Sequence, residues 1–261
     1  MPFTPSAGLP IYWDSEGRPE SPALVLLNSI GTDTSLWAGL VARLAESFRV
    51  IRIDTRGHGR SGVSAGDATL EDLAGDVAAV LEAAGVESAA VAGVSLGGMM
   101  AMELALRHPE RVSALLLVCT SATMDRASWA GRVARVRAEG MADIVEMALS
   151  RFFSAPFAEA HPGEVARVRA SLLAMDPDGY AAAGAAIRDM DLSGRIAAIR
   201  APTLVLAGDL DSSTPFPGHG DYLLGTIPGA RLVRLSCGHL APLEVPEALG
   251  TAMLAFLRAA G

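Results

Sequence analysis

The chain has 261 residues, a formal net charge of −8, and 51% apolar against 19% charged residues. This is a globular composition, long enough to bury a sizeable core in one large domain or two small ones. The acidic balance, with no basic run to offset it, argues against a nucleic-acid partner. No uninterrupted apolar stretch approaches the length of a membrane span, so no membrane partner is expected. The opening residues "MPFTPSAGLPIYW" lack a basic segment followed by an apolar one, so a cytoplasmic location is the default expectation.

In chain order, "ALVLLN" (23–28) is the first apolar run of strand length, and a helical pattern over 35–47 follows it. "RVIRID" (49–54) leads through "DTRGHGRS" to a helix over 69–84. "AAVAGV" (89–94) runs into a helix over 96–107, and "SALLLV" (113–118) follows. Residues 121–197 then break the rhythm. "ASWAGRVARVRAEGMADIVEMALSRFF" reads as helix, and "DPDGYAAAGAAIRDMDL" as another with loose ends. Strand runs resume at "PTLVLAG" (202–208) and "ARLVRL" (230–235), with helices over 217–226 and 245–258.

Nearly continuous Val, Leu, Ile and Ala in these runs mark strands covered on both faces. The alternation predicts an α/β fold: an open, mostly parallel sheet flanked by helices. Residues 1–120 and 198–261 are assigned to the sheet core. Residues 121–197 are assigned to a helical cap over the sheet's carboxyl edge, where ligands bind in such folds.

Gly93-Val94-Ser95-Leu96-Gly97 matches G-x-S-x-G at a strand-to-helix junction. That context exposes a serine hydroxyl on a tight turn as a nucleophile. A serine needs a base at neutral pH, and the base needs an orienting acid. Downstream, "LVLAGDLDSSTP" offers Asp209 and Asp211 after a strand, and "RLSCGHLAPLE" places His239 in a loop after the last strand. The order serine, acid, histidine fits this chemistry. Two backbone amides should receive the oxyanion. One belongs to Leu96, at a helix N-terminus with free donors. The other comes from the loop "NSIGTDTSLW", with Ile30 the candidate and Ser29 the alternative.

The remaining polar residues read as structural. His58 sits in a glycine-rich loop, His108 ends a helix before Pro109, and His161 and His219 lie in loops. The five histidines show no metal-ligand spacing, so no metal is expected. Cys119 and Cys237 form no CxxC and are expected as buried free thiols. All 21 cationic residues are arginine, which rules out a lysine Schiff base or a lysine-anchored cofactor; no cofactor is expected.

Over nearly its full length the chain resembles the α/β-hydrolase superfamily, and more narrowly the 3-oxoadipate enol-lactonases. The resemblance is carried by "NSIGTDTSLW" (28–37), "RIDTRGHGRS" (52–61), "GVSLGGMMAMELALRHPERV" (93–112), "WAGRVARVRAEGM" (129–141), "RFFSAPF" (151–157) and "PDGYAAAGAAIRDMDL" (177–192). Asn28, where a histidine is usual, and the cap segments are its specific parts. The resemblance implies that Ser95 attacks a lactone carbonyl, that His239 is the base, and that Asp211 rather than Asp209 orients it. It also implies that Arg132, three residues after Trp129, holds a substrate carboxylate, with Trp129 beside it. The small-molecule partner is then an ester or lactone bearing a carboxylate.

The chain departs from that family at "CTSAT" (119–123), at Phe152 where tryptophan is usual, and at "CGHLAPLEVPEA". A carboxylesterase or lactonase of other small esters therefore stays open. So do a perhydrolase side activity and, furthest from the motifs, a non-catalytic ligand receptor. The oligomeric state is not legible.

Overall fold

The computed structural model describes residues 3–260. It opens on a hairpin that no apolar run announces: β1 (Phe3–Ser6) and β2 (Leu9–Glu16), joined at Ala7 and Gly8 with φ of 46° and 81°. Consecutive positive φ values make the hairpin turn whose twist suits antiparallel strands. Then β3 (Ala23–Leu27), α1 (Ala38–Ala45), β4 (Arg49–Ile53), α2 (Leu70–Ala83), β5 (Ala89–Val94), α3 (Leu96–Arg107) and β6 (Val112–Val118) alternate as expected. Five helices follow: α4 (Arg126–Glu139), α5 (Val145–Phe152), α6 (Ala155–Ala160), α7 (Pro162–Ala174) and α8 (Pro177–Asp189). The chain returns through β7 (Thr203–Gly208), α9 (Asp221–Thr226), β8 (Arg231–Leu235), α10 (Ala241–Glu244) and α11 (Pro246–Ala260).

One sheet holds all eight strands in the order β1-β2-β4-β3-β5-β6-β7-β8. Only the β1–β2 and β2–β4 pairings are antiparallel. Every residue of β5 and β7 is buried, as expected of parallel strands covered on both faces. The register sets Leu27 beside Gly93, Gly93 beside Leu117, Val118 beside Leu206 and Gly208 beside Leu235. The loops after β3, β5, β7 and β8 therefore emerge at one edge, and these carry Ile30, Ser95, Asp211 and His239.

Three helical expectations are corrected. The stretch from Trp129 to Phe153 is not one helix: α4 ends at Gly140, whose φ of 78° no helix accommodates, and α5 starts afresh. The helix expected over 35–47 begins instead as a single tight turn, Thr34–Trp37, capped by the Asp33 side chain. In 217–226 only α9 is regular, because Pro217 and Gly218 (φ 93°) break the backbone before it. Between α4 and α8, small residues allow a close approach; a Cβ on Gly184 would lie 3.0 Å from Val133 Cγ2. Among the described residues, no helix is long and apolar enough to cross a membrane.

Candidate active site

Ser95 stands between β5 and α3 with φ 54° and ψ −116°, a conformation that side-chain-bearing residues avoid. The local sequence makes it possible. A Cβ on Gly93 would lie 2.2 Å from Gly97 C, one on Gly97 2.4 Å from Leu27 O, and one on Gly98 2.6 Å from Thr120 Cγ2. Glycine is thus required for strand and helix to meet. The Ser95 amide donates to Val118 O (3.0 Å), and its carbonyl accepts from Thr120 Oγ1 (2.6 Å) and Gly98 N (2.9 Å). The turn is held from both sides, with Ser95 only 6% exposed.

His239 and Asp211 meet at the same edge. His239 Nδ1 lies 3.0 Å from both Asp211 carboxylate oxygens. Asp211 also accepts from Ser213 N (2.8 Å), Thr214 N (3.2 Å) and Thr214 Oγ1 (2.8 Å). Burial alone would raise its pKa, but the imidazole beside it and these donors outweigh burial and hold it at about 2. An ionised carboxylate only accepts, so the Nδ1 facing it carries a proton, and in the neutral ring Nε2 is then the acceptor. The Phe152 ring stacks on the imidazole at 6.3 Å.

Leu96 is the first residue of α3, and Ile30 sits in the loop after β3. Among the described residues, neither amide donates to a protein acceptor. The Ile30 loop is pinned by buried Asn28, whose Nδ2 donates to Ile53 O (2.8 Å) and whose Oδ1 accepts from Trp37 Nε1 (3.1 Å).

Ser95, His239 and Ile30 line one cavity of about 310 Å³, together with Trp129, Arg132, Arg135, Arg151, Phe152 and Thr214. Among the described residues, no aspartate or glutamate lines it. Arg135 is neutralised by Asp143 at 2.6 Å. Arg132 is not. Its guanidinium lies over the rings of Trp129 (4.7 Å) and Tyr180 (5.3 Å), and its Nε and Nη2 are buried without a partner. Burial lowers its pKa from the ordinary value; the Tyr180 phenol opposes this and Arg151 adds to it. The Tyr180 hydroxyl is also buried and unpartnered.

The other polar residues lie elsewhere. Asp209 is exposed and pairs with Arg234 at 2.5 Å. His58 is buried, bonds through Nδ1 to Arg56 O (3.1 Å), and does not line the cavity. His219 bonds to Ser121 Oγ at 2.7 Å, and His108 ends α3. Both cysteines are free and buried. Among the described residues, no three His, Cys, Asp or Glu side chains group to hold a metal ion. Sequence reasoning missed Ser213 and Thr214 as partners of Asp211, although a Ser-Thr pair just after an aspartate signals a side-chain-capped turn. It also missed Arg151, which lines the cavity inside the quoted "RFFSAPF".

A strained serine at a strand-to-helix turn, sharing a cavity with the histidine of a buried histidine–aspartate pair on the carboxyl edge of a parallel sheet, is the arrangement of one class of hydrolase. The sequence model of the alpha/beta hydrolase fold matches residues 22–246, and the chain belongs to that family. Within it, the chain is 32% identical over 243 residues to 3-oxoadipate enol-lactonase 2 of Acinetobacter baylyi, covering 93% of this chain and 91% of that one. The solved enol-lactonase from Burkholderia xenovorans LB400 is 35% identical, with a TM-score of 0.96 over 98% of this chain and all of that one (100%). A thermophilic esterase from Thermogutta terrifontis, solved with malate bound, is 29% identical, with a TM-score of 0.92 over 100% of this chain and 97% of that one. The protein is an ester-hydrolysing enzyme whose substrates are small esters or lactones.

Proposed function

We propose that this enzyme opens 3-oxoadipate enol-lactone to 3-oxoadipate, with Ser95 as nucleophile, His239 as base and Asp211 as orienting acid. The observation that carries the substrate reading is Arg132: a cation facing the serine's cavity with no carboxylate to neutralise it. A buried donor left without a partner is costly, and a substrate carboxylate can meet it with paired, directional hydrogen bonds. The enol-lactonases among the relatives support the same reading. In this scheme residues 121–197 act as a cap that brings Trp129 and Arg132 over the serine.

His239 Nε2 takes the Ser95 proton as Oγ attacks the lactone carbonyl. The amides of Ile30 and Leu96 receive the oxyanion; each such donor is typically worth about 10²–10³-fold in rate. Collapse breaks the ring C–O bond, and the leaving enolate takes the proton from His239 and tautomerises to the ketone. His239 then activates a water that attacks the acyl-enzyme, releasing the new carboxylate and restoring Ser95.

The test is hydrolysis of enol-lactone generated in situ, followed by its ultraviolet absorbance, with wild type and Ser95→Ala. Fast turnover that the variant lacks is the expected result. A wild type no faster than buffer on the lactone, while p-nitrophenyl acetate still turns over through Ser95, overturns the substrate reading. The second reading, a carboxylesterase of carboxylate-bearing esters, would then stand; the malate-bound esterase among the neighbours favours it over neutral esters.

A further inference from the structure

We propose that Glu244 is a positioning residue that fastens the histidine loop to the cap-side segment at residues 152–154, so that this segment holds His239 as well as the sheet edge does. The proposal rests on the reading of Ser95 and His239 given above.

Glu244 ends α10, the four-residue helix that begins two residues after His239. Its carboxylate reaches back across the loop. Oε2 accepts from Gly238 N (3.0 Å) and Ser154 Oγ (2.7 Å), and Oε1 accepts from Ser154 N (2.8 Å). Next to it, the Phe152 carbonyl accepts from the amides of His239 and Leu240, both at 3.1 Å. Three successive amides, from Gly238 to Leu240, thus end on Glu244 or on Phe152. A Cβ on Gly238 would lie 2.5 Å from Ser154 N and 2.6 Å from Glu244 Oε1, so this glycine is what lets the two segments meet. Phe152 completes the coupling, with its ring stacked on the imidazole and Arg151 before it on the cavity wall.

The three donors explain why this residue is a carboxylate. Both oxygens accept from N–H or O–H groups, as an ionised carboxylate can. Glutamine fills the same volume but turns an NH2 group against one of these donors. A residue needed only for packing would tolerate that exchange. A residue that sets the position of His239 would not, because small misplacements at a reacting group cost up to about 10²-fold in rate.

The experiment uses the full chain with Glu244→Gln and Ser154→Ala. Active serines are counted by titration with an organophosphonate, and kcat and KM are measured on p-nitrophenyl acetate. The low-field proton NMR signal of His239 Nδ1–H is recorded in parallel. For E244Q the expected result is a kcat per titrated site lower by about 10- to 100-fold, a KM nearly unmoved, and a shifted or broadened Nδ1–H signal. S154A removes one of the three donors and is expected to lose less in the same direction. If kcat per site and the proton signal match wild type, Glu244 only supports the fold and the proposal is overturned, whatever happens to the melting temperature. If E244Q does not fold, S154A decides: an unchanged kcat and signal overturn the proposal. Turnover surviving in Ser95→Ala overturns the site reading and this proposal with it. An inactive Ser95→Ala beside an unaffected E244Q removes the positioning role alone.

Discussion

Replacing Arg132 by methionine separates the two consequences of an unneutralised cation. Methionine keeps an unbranched apolar stem out to about the Nε position and still packs beside Trp129 and Tyr180. The variant no longer buries Nε and Nη2 without partners, and each such orphaned donor costs about 1–3 kcal/mol. It forfeits two cation–aromatic contacts, worth about 0.5–2 kcal/mol each, more as the cation is desolvated. The net gain is on the order of 0–3 kcal/mol, which in a domain of this size leaves Tm level or raises it by up to roughly 10 °C. Activity moves the other way, and selectively. Losing the partner of a bound carboxylate costs about 2–5 kcal/mol, or roughly 30-fold to several-thousand-fold in kcat/KM. A neutral ester has no carboxylate to lose. The assay is kcat/KM on the enol-lactone and on p-nitrophenyl acetate, beside a thermal melt of each protein. A lower Tm with equal losses on both substrates would refute the reasoning, since Arg132 would then be part of the scaffold.

Asp211→Asn removes the acceptor that fixes the His239 tautomer, and kcat is expected to fall roughly 10³–10⁴-fold with little change in KM, measured on either substrate. His58 makes stability depend on pH. Burial holds its imidazole at about 4, below the ordinary 6.5, so between these values the unfolded chain binds the extra proton. Its contribution is complete above pH 6.5, is lost as pH falls through 4, and amounts to about 3 kcal/mol. His58→Asn should flatten the fall in Tm across that window, and an unchanged slope counts against the assignment. Gly97→Ala drives a Cβ to 2.4 Å from Leu27 O, a backbone atom that cannot step aside. Expression without soluble, folded enzyme is expected, and a normally stable variant would mean the elbow is looser than described.

What the sequence could say follows from where the signal is stored. The parallel strands were legible because burial on both faces writes itself as unbroken apolar runs. The β1–β2 hairpin was not, because its half-exposed strands carry Pro5, Pro10 and charged residues; its one signature was the Ala7-Gly8 turn. The break at Gly140 was written plainly, but a lone glycine in a helical pattern is often tolerated. The serine, acid and histidine positions could be named because each lies in a strand-following loop of recognisable composition. Distances could not: nothing in "GDLDSSTP" shows that Asp209 turns out to Arg234 while Asp211 turns in to His239. Arg132 shows the same limit. Its helix carries Arg135 and Arg137 nearby, and only folding leaves one arginine without an acid while Arg135 finds Asp143 and Arg137 finds Asp67.

The absence of acidic groups from the cavity wall bears on how the enzyme lets go. Hydrolysis of an ester or lactone at neutral pH creates a carboxylate, so the product leaves carrying one more negative charge than the substrate brought in. In a chamber whose uncompensated charges are Arg132 and Arg151, that extra charge deepens the well from which the product must escape. Where departure is slower than bond cleavage, it sets the pace at saturating substrate. Ions in solution that screen the arginines shorten the product's stay, and moderate salt should quicken the enzyme.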